Sequence, residues 1–252
     1  MSESEYKRIY GRNPVREAIK SGRNINRIML AEGNTDYALA NIAKQAKERG
    51  ISVQYTNRHK LDLATGGQSH QGVVAYVSPV AFIEPLELLE IAKERGEKPF
   101  IAILDSITDP YNTGAIIRSA YCAGCHGVII PKRRSSAITE IVEKASAGTA
   151  QLLAIAQAPN LNQAVEELKK RGVFVVAADK GGSHYAEIDY DMPLAVVIGS
   201  EGSGISKLLK SKCDFIATIP MKGSIDSLNC SVAAGIILFE AAKQRGASML
   251  LQ

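Results

Sequence analysis

The stretch that decides the fold is LAVVIGSEGSG, residues 194–204. Its apolar run, Ala195–Ile198, does not alternate with polar residues, which is typical of a strand covered on both faces of a sheet. Glycines follow at once, at positions 199, 202 and 204, and glycine lets backbone approach a ligand closely. The stretch therefore predicts a buried parallel strand that ends in a binding loop, since α/β sheets bind ligands at the carboxyl ends of their strands.

Similar apolar runs occur on either side of this stretch. The predicted strands are Ile101–Leu104, Gly127–Ile130, Leu152–Ile155, Val173–Ala177, Ala195–Ile198 and Phe215–Ile219. The predicted helices are Thr113–Ala123, Thr139–Ala147, Leu161–Arg171, Ile205–Leu209 and Ser231–Lys243. Alternation of this kind predicts an α/β domain over residues 99–252, with a mostly parallel sheet and helices on both faces.

The first third of the chain reads as a separate, small α/β domain over residues 1–78. Its predicted helices are Asn13–Lys20, Tyr37–Arg49 and Arg58–Ala64, and its predicted strands are Arg27–Leu30, Ile51–Tyr55 and Val73–Val77. Pro79, Pro85 and Pro99 bracket one further helix, Leu86–Arg95. We expect residues 79–98 to be the linker between the two domains.

Composition excludes several classes of protein. The 252 residues are 46% hydrophobic and 22% charged, which is ordinary for a globular chain. We expect no transmembrane span and no signal peptide, so the sequence predicts a cytoplasmic protein with reduced cysteines.

Charge is unevenly distributed between the two predicted domains. Residues 1–78 hold 12 Lys/Arg against 7 Asp/Glu, whereas residues 79–252 hold 18 against 19. Such a local excess indicates phosphate contacts, for which Arg8, Arg12 and Arg16 are the candidates, or simply a solvated helix face.

A first unusual loop is DSITDPYNTG, residues 105–114, and Arg118 lies in the helix that follows. Asp109, Pro110 and Asn112 are turn and cap residues, so a turn from strand to helix explains them. Arg118 is flanked by Ala, Ile and Ser, on a helix face that we expect to be buried. A guanidinium there needs a partner, which either an internal ion pair or a neighbouring ligand supplies.

The glycine loop does not match the best-known nucleotide motifs. Its order is Gly-x-x-Gly-x-Gly and it stands late in the chain, whereas the dinucleotide fingerprint is Gly-x-Gly-x-x-Gly in a first βαβ unit. No Gly-Lys-Ser/Thr follows, so it is not a P-loop either. This argues against a nicotinamide-dependent dehydrogenase and leaves a cofactor loop or a tight turn capped by Glu201.

A third loop, IPMKGSIDSLNCSVA at residues 219–233, precedes a long apolar helix. An N-cap cluster explains some of its polar residues, but Ser227, Asn229 and Ser231 offer more hydrogen-bonding groups than one cap uses. Elsewhere CAGCH, residues 122–126, fits the haem-attachment pattern. That chemistry requires export, and Cys213 and Cys230 are isolated, so we expect neither haem nor metal.

Together the three loops resemble the signature motifs of the SpoU, or TrmH-like, branch of the SPOUT RNA methyltransferases. The matching residues are Asp109-Pro110, Asn112, Gly114 and Arg118, then Ile198 to Gly202 with Gly204, then Ile219-Pro220-Met221, Gly223, Ser227-Leu228-Asn229, Ser231 and Ala233. The opening, Tyr10 to Val15, is similar to that of the subgroup with an N-terminal RNA-binding domain, which methylates a guanosine of 23S rRNA.

The resemblance implies a deep trefoil knot in the C-terminal domain, a homodimer formed through that domain, and S-adenosylmethionine bound in the knot. The implied cofactor residues are Gly199, Gly202, Ile219, Met221, Leu228 and Ser231. The implied reaction-site residues are Asn112, Arg118, Glu201, Ser227 and Asn229. The implied activity is transfer of a methyl group to a ribose 2′-hydroxyl of structured RNA, with ribosomal RNA as the partner.

Arg118 is often treated as the general base in this family, but a guanidinium is almost never neutral. We expect it to act as a cation that stabilises the developing alkoxide or holds a phosphate. The alternatives for the whole chain are a tRNA 2′-O-methyltransferase and a non-catalytic RNA-binding factor of ribosome assembly. Intact Arg118, Glu201 and Asn229 argue against the second.

Overall fold

The computed structural model describes residues 7–21, 25–33, 36–77, 80, 82–132, 135–136, 138–223 and 227–246. The chain divides into two compact units. The first unit comprises residues 1–81 together with 138–152, and the second comprises 82–137 and 153–252. Residues 138–152 thus group with residues 1–81, although residues 82–137 of the second unit separate them in sequence. A domain boundary placed at one point in the chain does not predict such a grouping.

The first unit is a four-stranded sheet with helices. Its elements are β1 (Lys7–Tyr10), α1 (Arg12–Lys20), β2 (Ile25–Ala31), α2 (Tyr37–Glu48), β3 (Ser52–Thr56), α3 (Arg58–Thr65) and β4 (Val73–Val77), with α6 (Glu140–Ala145) and a 3-10 turn, Thr149–Gln151, from later in the chain. The strand order is β1-β4-β2-β3. β4 pairs antiparallel with β1 and β2, and β2 pairs parallel with β3.

The two faces of this sheet are covered differently. One face packs Ile28, Leu30 and Ala75 against buried residues of α1 and α2. On the other face Leu61 of α3 packs with a smaller cluster that contains Tyr10, Val74 and Tyr76. Side chains alternate between faces along a strand, so β1, β2 and β4 present every second residue to this less covered face.

The sequence pattern predicts three of these four strands. β1 is missed because its sequence, Lys-Arg-Ile-Tyr, begins with two cations and contains no apolar run like those of the predicted strands. The predicted helices correspond to α1, α2 and α3, each within two residues at either end.

The second unit is a six-stranded sheet in the order β10-β8-β9-β5-β6-β7, and all its pairings are parallel. Its elements are α4 (Glu87–Glu94), β5 (Phe100–Asp105), α5 (Pro110–Cys122), β6 (Gly127–Pro131), β7 (Ala154–Ala158), α7 (Leu161–Lys170), β8 (Phe174–His184), β9 (Leu194–Gly199), α8 (Lys207–Lys210), β10 (Phe215–Thr218) and α9 (Cys230–Gln244). The predicted α/β architecture is confirmed; the trefoil knot stays a prediction.

Helices cover both faces of the second sheet. On one face α4 and α7 pack through Leu88, Val165 and Leu168 onto alternate residues of β5, β8 and β9. On the other, α5 and α9 pack against each other and against β5, β8 and β9. Every residue of β5 and β9 is buried, which explains their unbroken apolar runs. Among the described residues, each helix is too short or too polar to cross a bilayer.

The strands that differ most from prediction are β7 and β8. β7 begins two residues later than expected, and β8 continues from the apolar run through Asp179-Lys180-Gly181-Gly182 to His184. The added part of β8 is polar and exposed, so its sequence reads as a loop although it pairs with β10 at Ser183 and His184.

Candidate functional site

A cavity of about 350 Å³ opens at the carboxyl ends of β8, β9 and β10. It is lined by residues 178–180, 198–204 and 217–219, by Met221, Ser227 and Leu228, and by the first half of α9. Parallel strands end together at one edge of a sheet, so three loops distant in sequence meet here. The second and third loops that the sequence singles out therefore line a common cavity.

The loop after β9 is a tight, self-bonded turn. The backbone N–H of Ser200 donates to the Gly204 oxygen at 3.2 Å, and that of Gly204 donates to the Ser200 oxygen at 2.9 Å. Gly204 has a φ of +62°, and a Cβ on Gly199 would overlap the backbone of Gly204 and Ile205. A Cβ on Gly202 would meet nothing within 4 Å. The turn itself requires the first glycine, whereas any requirement at position 202 must come from a ligand.

Three polar side chains from the three loops form a closed hydrogen-bonded cluster at the cavity mouth. Asn112 Nδ2 donates to Glu201 Oε1 at 3.1 Å, and Asn229 Nδ2 donates both to Asn112 Oδ1 at 3.0 Å and to Glu201 Oε1. The Glu201 carboxylate thus accepts from both amides while the residue stays exposed. We call Asn112, Glu201 and Asn229 the amide–carboxylate cluster.

Local capping positions two members of this cluster. Asp109 caps α5 by accepting from the Asn112 N–H at 2.8 Å. Asn229 caps α9, because its Oδ1 accepts from the backbone N–H groups of Ser231 and Val232 at 2.9 and 3.3 Å. The oxygen of the Asn229 side chain therefore caps the helix, and its nitrogen reaches Glu201. The role of Asn229 in a reaction stays a prediction.

The structure brings together most of the predicted site residues in the second unit. Those that line the cavity are Gly199, Glu201, Gly202, Ile219, Met221, Ser227 and Leu228. Asn112 and Asn229 join them through the cluster. Ser231 does not line the cavity, and its hydroxyl bonds to Asn229 Oδ1 at 2.6 Å.

Arg118 is the exception, and the expectation that it lies on a buried face is wrong. α5 buries Thr113, Gly114, Ile116, Ile117 and Ala120, and Arg118 is exposed. Successive residues turn about 100° around a helix, which carries Arg118 off the stripe occupied by Ile117. It makes no ion pair with any residue the structure describes, so the internal ion pair is not formed either.

Asp179, Lys180 and Thr218 line the cavity but were missed. Asp179 Oδ2 pairs with Lys210 Nζ at 2.9 Å, and its backbone oxygen accepts from Thr218 Oγ1 at 2.9 Å. The available signal was Asp-Lys-Gly-Gly directly after an apolar strand, which marks a further loop at the same edge.

The cysteines near these elements are not poised as nucleophiles. Burial raises the pKa of the Cys230 thiol, which lines the cavity, to about 11. Burial also raises the pKa of Cys125.

His126 Nδ1 accepts from the Phe100 N–H at 3.0 Å and its Nε2 lies 3.0 Å from Glu97. The described residues include no group of three His, Cys, Asp or Glu arranged to hold a metal ion.

Family models match both parts of the chain. Residues 99–239 match the SpoU rRNA methylase family, and residues 8–82 match the RNA 2′-O ribose methyltransferase substrate-binding family. The chain belongs to the SpoU methyltransferase family. The methyl donor of this family is S-adenosylmethionine.

Relatives of this SpoU methyltransferase match it along most of its length. It is 42% identical over 238 residues to YacO of Bacillus subtilis, named as a TrmH family tRNA/rRNA methyltransferase, covering 94% of this chain and 95% of that protein. A Mycolicibacterium gilvum protein named as a tRNA/rRNA methyltransferase is 41% identical over 94% of this chain and 76% of its own length.

Solved structures show the same fold. An AdoMet-bound rRNA methyltransferase of Sinorhizobium meliloti has a TM-score of 0.75 at 27% identity, covering 96% of this chain and 88% of that one. The SpoU methyltransferase AviRb of Streptomyces viridochromogenes, also solved with AdoMet, has a TM-score of 0.76 at 22% identity, covering 96% and 92%.

Proposed function

We propose that this SpoU methyltransferase methylates a ribose 2′-hydroxyl of structured RNA, and that the target is a guanosine of 23S rRNA. The observation that carries the proposal is the amide–carboxylate cluster at the mouth of the cavity, built from all three family motifs. The match of residues 8–82 to a substrate-binding family of RNA 2′-O ribose methyltransferases supports the hydroxyl as the acceptor.

The cavity fits S-adenosylmethionine in size and in charge. Its volume of about 350 Å³ falls within the range of small-molecule sites, roughly 300–1,000 Å³. Apolar residues such as Ile198, Leu228 and Ile237 offer a surface for an aromatic base, and the Glu201 carboxylate, bonded to neutral amides, would supply a negative charge for a cationic sulfonium. Gly199, Gly202, Ile219, Met221 and Leu228 would hold the cofactor.

When bound, the cofactor supplies an activated methyl group on a sulfonium. The oxygen of the 2′-hydroxyl forms the new bond to the methyl carbon, the carbon–sulfur bond breaks, and the sulfur keeps the electron pair. The hydroxyl proton leaves to a phosphate of the RNA or to water. The main task of the protein is therefore orientation.

The amide–carboxylate cluster is suited to that task. Glu201, held by both amides, can accept a hydrogen bond from a ribose hydroxyl and fix its direction. Ser227 can contribute a further polar contact from the third loop. A guanidinium such as that of Arg118 stabilises the oxyanion character that develops, or holds the adjacent phosphate.

Arg118 is exposed and does not line the cavity. Formation of a homodimer would explain how it takes part in the reaction. Arg118 lies on the same side of α5 as Tyr111 and Tyr121, which are 67% and 42% exposed. Val232 and Phe239 on the neighbouring α9 are 49% and 40% exposed. We propose that a second copy covers this face, as the resemblance implies, and that dimer formation encloses Arg118.

Sedimentation of the wild type and a Tyr121→Glu/Phe239→Glu variant tests the dimer. We expect a dimer and a folded monomer, respectively, and loss of methyl transfer in the monomer. A monomeric wild type would contradict the dimer proposal.

Methylation mapping tests the function and its substrate. Unmodified 23S rRNA and tRNA transcripts are incubated with the protein and labelled S-adenosylmethionine, and the labelled position is located by its resistance to alkaline cleavage, which requires a free 2′-hydroxyl. We expect a single alkali-resistant guanosine in 23S rRNA. Label in tRNA alone would favour the tRNA alternative, label on a base would reject the 2′-hydroxyl, and no label on either RNA would favour the non-catalytic assembly factor.

A further inference from the structure

The less covered face of the first-unit sheet contains a cavity of about 430 Å³ that plays no part in the chemistry above. The cavity, which we call the sheet pocket, is lined by Arg8, Arg27, Met29, Gln54, Lys60, Tyr76 and the end of α3. Its residues come from all four strands of the unit and the helix that lies beside them, so the pocket is a product of the tertiary fold.

Strand register explains why the cations meet. Tyr76 of β4 pairs with Arg8 of β1 on one side and with Arg27 of β2 on the other. Residues that are directly opposite on neighbouring strands point to the same face, so both arginines flank one tyrosine ring. Lys60 of α3 adds a third cation at the same pocket.

Two cations of the sheet pocket are held in place by contacts with uncharged groups. Arg8 Nη1 donates to the Ala64 carbonyl at 2.9 Å, and the Arg27 guanidinium lies 4.4 Å from the centre of the Tyr76 ring. None of the described residues that line the pocket is acidic. Neither Arg8 nor Lys60 makes an ion pair with a described residue. Like charges that share a pocket repel, and a bound anion relieves that repulsion.

The α1 arginines contrast with this arrangement. Arg12 Nη2 pairs with Asp36 Oδ2 at 2.5 Å, and Arg16 lies 3.9 Å from Glu17 and donates to Asn13 at 3.1 Å. Arg12 and Arg16 therefore each have a carboxylate nearby. That carboxylate makes the electrostatic potential around the arginine less positive and weakens its attraction for a phosphate. By charge, the sheet pocket is the stronger phosphate site of the first unit.

We propose that the sheet pocket binds an unpaired nucleotide of the RNA substrate, with Arg8 and Lys60 holding its phosphate and the Arg27 guanidinium, which lies over the buried Tyr76 ring, receiving its base. The inference rests on the proposed RNA substrate and adds a specific contact to it. Planar guanidinium and aromatic surfaces stack nucleobases, and Gln54 at the pocket can bond a base edge. The volume suits one nucleotide, since small-molecule sites span roughly 300–1,000 Å³.

A charge-matched pair of double variants tests the phosphate contact. Arg8→Gln/Lys60→Gln removes two charges from the pocket. Lys44→Gln/Lys47→Gln removes two exposed charges from α2, which packs on the other face of the sheet. Binding of a 23S rRNA transcript and of a tRNA transcript is measured for full-length proteins between about 0.05 and 0.3 M salt, because each lost phosphate contact lowers the slope of log K against log [salt] by roughly 0.7–0.9.

We expect the pocket double variant to lower that slope by about 0.7–0.9, as for one lost phosphate contact, and to weaken binding roughly 5- to 8-fold near 0.1 M salt. The α2 double variant should change the slope by less than about 0.5. Equal slopes for wild type and the pocket variant would overturn the proposal. Equal losses in both variants would also overturn it, since they would indicate general attraction.

Arg27→Lys tests the stacking contact, because lysine keeps the charge and loses the plane. We expect a salt slope close to that of the wild type, yet weaker binding of RNA with unpaired nucleotides and no change for a fully paired duplex. Equal losses on both RNAs would reject base stacking.

Methyl-transfer kinetics separate this inference from the proposed function. We expect the pocket double variant to raise the KM for RNA and leave kcat and S-adenosylmethionine affinity unchanged. A wild type without methyl transfer would reject the proposed function, and the binding slopes would still decide on the pocket.

Discussion

The two units use different physical means to handle ligands. The edge of the second sheet is built from close backbone turns and neutral amides around one carboxylate, whereas the open face of the first sheet collects three cations around a tyrosine. Backbone turns recognise shape at contact distance, but charges act over about 10 Å at 0.1 M ionic strength. In the proposed function the first unit captures RNA and the second positions one ribose, so we expect the two functions to separate under mutation.

The largest expected effect compares two glycines of one loop. Gly199→Ala should abolish measurable S-adenosylmethionine binding, because its Cβ overlaps the Gly204 and Ile205 backbone. Calorimetry with the cofactor measures this, and RNA binding by the same protein should stay close to wild type. Gly202→Ala leaves the turn intact, since its Cβ has free space, so any loss of affinity in that variant would come from contact with the cofactor. Retained affinity in Gly199→Ala would remove this loop from the cofactor site.

Arg118 should show the next largest effect. Arg118→Ala removes an exposed side chain, so folding and cofactor binding should persist while single-turnover methyl transfer falls by about 100-fold. Arg118→Lys should recover part of the rate because it keeps the charge. A rate for Arg118→Ala within about two-fold of wild type would show that no transition-state charge depends on Arg118.

The α1 arginines should matter less. Arg12→Gln/Arg16→Gln removes cations that Asp36 and Glu17 already offset, so the salt slope for RNA should fall by under about 0.5, less than for the pocket double variant. The measurement is the salt titration described above. A larger fall here than in the pocket variant would assign RNA capture to α1.

The smallest expected effect is a change of thermal stability with pH, which arises from His126 of the second unit. Burial lowers the pKa of His126 below its usual 6.5 despite the opposing Glu97. Between pH 6.5 and the lower folded value the unfolded chain binds a proton that the folded chain does not, so stability falls as pH falls. The Tm of the wild type should therefore drop between about pH 7 and 5.5.

His126→Asn is the control for that measurement, because its amide oxygen can replace Nδ1 as the acceptor for Phe100 and does not titrate. We expect its Tm to depend less on pH over the same interval. A pH dependence as steep as that of the wild type would assign the loss of stability to other groups.

Sequence patterns predict the second unit well because a buried parallel strand is a long, unbroken apolar run. β5, β6 and β9 illustrate this, and the loops after β5, β9 and β10 are recognised by small and polar residues at strand ends. Such features are local in sequence.

The errors arise where the outcome depends on distant residues. The polar end of β8 pairs with β10 only in the fold, so Asp179 was missed. Arg118 was assigned to a buried face from its neighbours in sequence, but the angle around α5 decides exposure. The proximity of Arg8, Arg27 and Tyr76 depends on the register between neighbouring strands. That register cannot be read from the order of residues within one strand.

The assignment of residues 138–152 to the first unit has a consequence for biosynthesis. A ribosome releases residues 1–81 well before it makes α6, and β5 and β6 of the second unit are synthesised in between. The two buried clusters described for the first unit contain only residues between Ile9 and Val77, so this core can form on the nascent chain, and residues 138–152 add their contacts later. Synthesis of the segments of the two units is thus interleaved in time.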